Sequence, residues 1–214
     1  MRFEEVVERL AVLPDPLPAP ADALMPIVVG REAWHPNRQA PPDRPGRAAA
    51  DQALLYPDDD HHALVVLIER ATGGGHHSGE VSLPGGKTEP EDADMAATAL
   101  REATEEVALD PVAAGVRAVG ILEPFWIPVS DFAVTPVVAI AERRPVFIPS
   151  PAEVARVIEA PMAMFLPGAP FEIVEATVRG WPLRYGAYPI EGLFVWGATA
   201  RILNQLGGVL AGRG

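Results

Sequence analysis

DADMAATALREATEEV, residues 92–107, holds neither proline nor glycine in a chain of 214 residues that carries 24 prolines and 19 glycines. Alanine, leucine and glutamate dominate the run, so it reads as a helix. Leu100, Ala103 and Val107, spaced by three and four, give that helix an apolar stripe to bury. Glu102, Glu105 and Glu106 fall on another face, within one turn of each other and directly behind Arg101. Like charges at this spacing repel by about a few tenths of a kcal/mol per pair. Either water screens them on a bland surface, or a positive charge lies between them. A glycine loop, LPGGKTEPED, leads straight into the helix, and Arg101 is placed to hold a carboxylate. Packed carboxylates on the open face of an anchored helix suit hard cations such as Mg²⁺ or Mn²⁺, which take oxygen ligands.

Around this helix the texture alternates. Phe3, Val6, Val7 and Leu10 predict a short amphipathic opening helix. The alternating prolines of LPDPLPAPADAL forbid regular helix or a central strand, so residues 1–47 read as a helix and an extended proline-rich arm. AAADQALLY and HALVVLIE predict two strands around the turn-rich PDDDH, and EVSLP a further short one. VRAVGILEPF and FAVTPVVAIA predict strands, the second with Pro136 near an edge or bulge. SPAEVARVIEA, with a serine cap and a first-turn proline, predicts a helix. FEIVEATVRG and WPLRYGAYPIEG predict a final hairpin, and GLFVWGATARILNQLGGVL a C-terminal helix. Strands, helix, strands, helix is the order of an α/β fold in which helices cover a mixed sheet. The length suits one domain, 1–214, with its core over 48–205.

The net charge of −12 argues against nucleic acid or anionic membrane as a partner. An anionic substrate would need local cations or bound metal. The absence of cysteine excludes disulfides, thiolate metal sites and a cysteine nucleophile. MRFEEVVERLAVLPDP places acidic residues where a secretory signal needs an apolar run, and no segment reaches the roughly 18 apolar residues of a membrane span. A cytoplasmic protein is the expectation.

GGKTEPEDADMAATALREATEEVAL resembles the signature box of the Nudix hydrolases, G-x5-E-x7-R-E-U-x-E-E-x-G-U, where U is a bulky apolar residue. Arg101, Glu102, Glu105 and Glu106 fall on its R-E and E-E positions, and Ala103 and Leu109 on its two U positions. The segment from Gly86 to Arg101 is one residue longer than the pattern, the first acid is Asp92 or displaced, and Ala108 takes the late glycine. The resemblance implies an α/β/α sandwich with a central mixed β-sheet. It implies Glu102, Glu105 and Glu106 as ligands of Mg²⁺ or Mn²⁺, the Gly86 carbonyl as an extra ligand, and Arg101 as a residue that orients a carboxylate. Glu153 is the candidate for the further carboxylate, ligand or general base, that such enzymes take from a later loop.

Upstream, VLIERATGGGHHSGEVSLPGG resembles the element of the coenzyme A subgroup, L-L-T-x-R-S-x3-R-x3-G-x3-F-P-G-G. Leu67, Arg70, Gly79, Pro84, Gly85 and Gly86 match without a gap, whereas Ile68, Ala71 and Gly75 replace the threonine, serine and second arginine. This implies hydrolysis of coenzyme A to adenosine 3′,5′-bisphosphate and 4′-phosphopantetheine. Arg70 is then a candidate for phosphate contact, with a strand-end salt bridge as the plain reading; Lys87 and Phe132 are further candidates for substrate contact. Ser130 and Asp131 share the loop before Phe132. His61, His62, His76 and His77 read as turn or loop residues. Another nucleoside diphosphate derivative (NADH, ADP-ribose, a dinucleoside polyphosphate) is the competing substrate class. A noncatalytic nucleotide-binding module would be expected to lose the box glutamates, which are all present. Oligomeric state is left open by the sequence.

Overall fold

A computed structural model describes residues 1–29, 45–72, 79–178 and 180–212. The chain opens with α1 (Phe3–Arg9), a 3-10 turn and β1 (Ile27–Val28), then β2 (Arg47–Pro57), β3 (Ala63–Arg70), β4 (Val81–Ser82) and β5 (Gly85–Lys87). It continues with α2 (Met95–Val107), α3 (Pro111–Ala114), β6 (Val116–Ile121), β7 (Phe125–Ile127), β8 (Phe132–Ala141) and β9 (Val154–Pro161). A second 3-10 turn, Met162–Phe165, precedes β10 (Glu172–Val178), β11 (Trp181–Ile190), β12 (Leu193–Val195) and α4 (Gly197–Leu210).

Among the described residues the main sheet has eight strands, in the order β4-β3-β2-β8-β6, with β5 on β2, β7 on β8 and β9 on β3. Only β2 and β8 run parallel, so the sheet is mixed as expected. Period-two alternation divides its side chains between two layers. Ala53 and Leu55 of β2, Val65 and Leu67 of β3, and Val138 and Ile140 of β8 pack with α1 and α4 residues. Leu54 and Tyr56, Val66 and Ile68, and Ala139 and Ala141 pack on the other face with Ala103 and Val107 of α2. The acidic helix is thus anchored by the stripe its sequence shows. Asp94 caps its first turn by accepting from the Ala97 N–H at 2.8 Å. Ala108, left-handed at φ 52°, closes its last turn where the box pattern has glycine.

Three expectations are corrected, and that for Pro136 is met. The SPAEVARVIEA stretch forms a strand, β9, beside β3. Its serine and proline make a single turn, in which the Glu153 and Val154 N–H groups both donate to the Ser150 carbonyl. Beyond it Ile158 and Ala160 turn into the main core while Val157 packs on the opposite, α2 side, a strand period; the bulge beside Arg70 brings Val154 to the α2 side as well. Pro136 lies on an interior strand, between β2 and the outer partners β6 and β7, and two residues from a bulge in the β6–β8 pairing, in keeping with the expectation of an edge or bulge. It is tolerated because it falls at the gap between those two partners, which register with Val137 and Val134. The C-terminal helix starts at Gly197, after residues 193–195 have paired with β11. The arm supplies β1, which joins β10, β11 and β12 in a second, antiparallel sheet. The opening helix is as expected, and buries Phe3, Val6 and Leu10 in the main core.

α4 is buried on almost every side and lets the chain close over it only through small residues. A Cβ on Gly207 would come within 2.1 Å of the Phe165 carbonyl oxygen. Helix propensity alone favours alanine by about 1 kcal/mol, but this contact is with backbone, which cannot step aside cheaply. Gly207→Ala is therefore expected to lower the denaturation midpoint by the equivalent of about 1–3 kcal/mol, read by urea unfolding; a raised midpoint would contradict the packing described.

Candidate active site

Glu106 is 1% exposed. Its carboxylate accepts from the Gly85 N–H at 2.9 Å and from Arg70 Nη1 at 3.3 Å. Three elements of sequence make those contacts. β5 pairs with β2, setting Asp51 opposite Gly85 and Ala50 opposite Gly86. A Cβ on Gly85 would lie 2.5 Å from Asp51 Oδ1, so only glycine allows the strand to approach. Arg70 falls on the same face of β3 as Leu64, Val66 and Ile68, which pack under α2, so plain strand alternation aims it at the helix; the bulge beside it, between Glu69 and Arg70, takes up its extra residue on β9. Burial pushes the Glu106 carboxyl up to about 7; the Gly85 N–H and Arg70 oppose the rise, while Glu102 and Glu153 add to it.

Glu102 sits one turn earlier. Its pKa is raised, first by burial, with the charges of Glu105 and Glu153 adding and Arg101 opposing. Gly86 lies against it: a Cβ there would be 2.4 Å from Glu102 Oε1. Arg101 organises the group. Its Nε and Nη2 donate to the two oxygens of Asp92, each at 3.0 Å, and Nη2 also to the Lys87 carbonyl at 2.9 Å. Its Nη1 reaches Glu102 at 3.1 Å and Glu105 at 3.2 Å. Asp92 also accepts from Thr98 Oγ1 and from the Glu89 N–H, each at 2.9 Å. Arg101, foremost, and these bonds hold its carboxyl well below the usual carboxylate range.

The segment after β8 ties the last carboxylate to the same helix. The Ile148 N–H donates to the Val107 carbonyl and the Ser150 N–H to that of Glu106. Glu153 follows, and its carbonyl accepts from the Ala71 N–H, next to Arg70. Arg70, Gly86, Arg101, Glu102, Glu105, Glu106 and Glu153 are thus drawn to one end of α2, with Glu105 on its exposed side. Lys87 and Phe132 are not drawn in. Lys87 pairs with Ala49, and Phe132 packs with the main core under the Arg47 guanidinium, 4.2 Å from its ring; both lie on the sheet face away from α2. Trp126 Nε1 donates to Asp131 at 3.1 Å, which fastens the loop before Phe132. His61 and His62 are turn residues at the protein surface, near Glu4 and Asp58. His76, His77 and Gly75 lie outside the described residues. Sequence reasoning missed the Gly85 N–H as a holder of Glu106; the paired glycines were its only signal.

The donor set fits a hard divalent cation. Glu106 is buried and Glu102 partly so, two mutually repelling carboxylates, and Gly86 leaves the space beside Glu102 that any side chain would fill. Among the described residues no three carboxylate or imidazole groups are gathered closely enough to hold a metal ion; Arg70 bonds an oxygen of Glu106, and Arg101 one of Glu102.

A mixed sheet that carries a glycine pair to the carboxylates of one anchored helix defines an α/β domain of the Nudix type. A family model, the NUDIX domain, matches residues 46–157, just over half of the chain, which therefore belongs to the Nudix family. Two relatives named Uncharacterized Nudix hydrolase NudL, from Salmonella paratyphi B and Salmonella newport, are 41% identical over 130 residues, or 61% of this chain and 66% of each relative. The chain thus spans just under two thirds of those relatives' length. The crystal structure of a Nudix hydrolase from M. smegmatis, RenU, matches with a TM-score of 0.52 at 20% identity, over 78% of this chain and 88% of that one, a likeness of fold. No helix among the described residues is long and apolar enough to cross a membrane.

The raised Glu106 pKa has a definite sign in stability. Between about 4.5 and about 7 the folded chain binds a proton that the unfolded chain has lost, so this group's contribution falls as pH rises through that window. In chelator-treated protein, wild type is expected to lose stability relative to Glu106→Gln as pH is raised across it, measured by thermal unfolding. A constant difference between the two would contradict the burial of a titrating carboxylate.

Proposed function

We propose that this chain is a hydrolase dependent on Mg²⁺ or Mn²⁺ that cuts nucleoside diphosphate derivatives, with coenzyme A as substrate and adenosine 3′,5′-bisphosphate and 4′-phosphopantetheine as products. The observation that carries the reading is the Arg70–Glu106 ion pair. Arg70 belongs to the element over 66–86 that resembles the coenzyme A subgroup, and Glu106 to the Nudix box, so the contact joins the specificity element to the acidic helix. The loss of threonine from that element counts for little: Ile68 stands in its place fully buried under α2, where no substrate atom reaches. The reading treats 1–214 as one Nudix domain in the cytoplasm, with a small molecule and neither nucleic acid nor membrane as partner.

Glu102 and Glu106, with Glu105 and the Gly86 carbonyl beside them, would hold the cation. When bound, it neutralises charge on the diphosphate and lowers the pKa of water. Arg101 keeps Glu102 and Glu105 in place while it is itself clamped by Asp92, which makes it a positioning residue. Arg70 is one third exposed and spends one nitrogen on Glu106, leaving the rest of its fork for phosphate oxygens. Glu153, exposed and close enough for its charge to act on Glu106, would take the proton of the attacking water in this reading. Lys87 and Phe132, on the other face, are left as contacts to a remote part of the substrate.

The test is a panel of coenzyme A, NADH, ADP-ribose and dinucleoside polyphosphates incubated with Mg²⁺ or Mn²⁺, with products identified by mass. The expected result is 4′-phosphopantetheine release, at a kcat/KM at least about tenfold above any other cleavage. Preferential cleavage of another member would favour the broader class of substrate, and hydrolysis unaffected by chelator would overturn the metal assignment. Glu106→Gln is expected to cut kcat by about 100-fold or more with the fold kept, and Arg70→Ala to raise KM about tenfold with a smaller change in kcat.

A further inference from the structure

We infer a second binding site, for a small uncharged molecule that is mostly hydrocarbon and carries one carbonyl-type hydrogen-bond acceptor. A cavity of about 330 Å³ opens between the N-terminal arm, the segment after the second 3-10 turn, and α4. Pro18, Leu166, Ala169 and Phe171 give it apolar walls, and Tyr188 and Asn204 supply its polar end. All six lie outside residues 46–157, the part matched by the Nudix model, and none belongs to the acidic site. Among the described residues no charged side chain lines the cavity, so an ionised ligand would be desolvated without a partner from them.

The backbone fixes the direction of every hydrogen bond at the polar end. The Ala21 N–H donates to Asn204 Oδ1 at 2.8 Å, which settles the amide orientation of Asn204. Asn204 Nδ2 then donates to Tyr188 Oη at 2.9 Å. Tyr188 Oη is the acceptor in that bond, so its own hydrogen remains to be given. Among the described residues nothing accepts it. Tyr188 is 1% exposed, and its ring is packed at a steep angle by Phe165 at 5.1 Å and Phe171 at 5.9 Å, so the cavity is the side from which a partner can reach its hydroxyl. Burial raises its pKa and keeps it a donor. A buried donor with no acceptor is destabilising, and a ligand carbonyl removes that deficit while its hydrocarbon part fills the walls. A single water would meet the hydroxyl and leave the apolar volume unfilled.

The full chain, labelled with ¹⁵N, is titrated with acetophenone, ethylbenzene and benzoate, and the amide signals of Ala21, Ala169 and Asn204 are followed. Acetophenone is expected to give saturable shifts at these amides. Ethylbenzene, which has the ring without the acceptor, should bind about tenfold or more weaker, the worth of one buried hydrogen bond, and benzoate should not bind. Tyr188→Phe should bring acetophenone down to the level of ethylbenzene and leave ethylbenzene unchanged. Ala169→Leu, which fills the cavity, should abolish both, its spectrum reporting that the fold is kept. Three results would each overturn the inference: no saturable shift at these amides, as for a cavity that holds only water; equal affinity of wild type for acetophenone and ethylbenzene; or acetophenone bound by Tyr188→Phe as by wild type.

Discussion

A carboxylate taken out of water costs several kcal/mol unless donors meet it, and the architecture around Glu106 is organised by that cost. The Gly85 N–H can reach it only because β5 lies on β2 at a register that no side chain at position 85 would permit. Arg70 reaches it because it follows Leu64, Val66 and Ile68 on the face of β3 that lies under α2. The segment running into β9 then hangs from the helix itself, through the carbonyls of Glu106 and Val107. Two strands, β3 and β5, thus meet on one buried side chain, and a third segment is fastened to the helix backbone beside it. Its charge remains incompletely met, since burial, and after it the neighbouring Glu102 and Glu153, push its pKa up. That residual deficit is where a divalent cation has most to gain.

The second organising contact is the Asp92–Arg101 pair. Its two parallel bonds lock the guanidinium plane, and Nη1 on the far side then restrains Glu102 and Glu105. The longer approach from Gly86 to Arg101 is absorbed here: Asp92, one position from where the box pattern expects glutamate, still reaches the arginine and the start of the helix through Thr98. A shifted acid with a short side chain does the work that the pattern assigns to a longer one.

These features differ in how far they could be read from residues alone. α2, its buried stripe and its acidic face followed from local spacing, as did β2, β3 and β8, because period and composition act within a few residues. The stretch over 150–161 misled, since the serine and proline that open a helix also open a turn; what decided it was the free edge of β3, a partner more than eighty residues away. The second sheet was hidden for the same reason: β1 has two residues and no pattern of its own, and exists by its register with Arg184 and Leu183. At the site, the glutamates announced themselves by spacing, whereas the Gly85 N–H is a backbone group without a letter of its own. Lys87 and Phe132 sit close to the site in sequence, yet the strand pleat sends both to the opposite face.

The central claim is that the buried carboxylates of α2 bind a divalent cation, and Mn²⁺ titration followed by electron paramagnetic resonance tests it without reference to any substrate. Wild type is expected to take up Mn²⁺ saturably, and Glu102→Gln and Glu106→Gln each to weaken that binding about tenfold or more, as expected when one carboxylate ligand is lost. Equal Mn²⁺ affinity in all three proteins would contradict the account, and would leave Glu106 a buried structural carboxylate held by Gly85 and Arg70 alone.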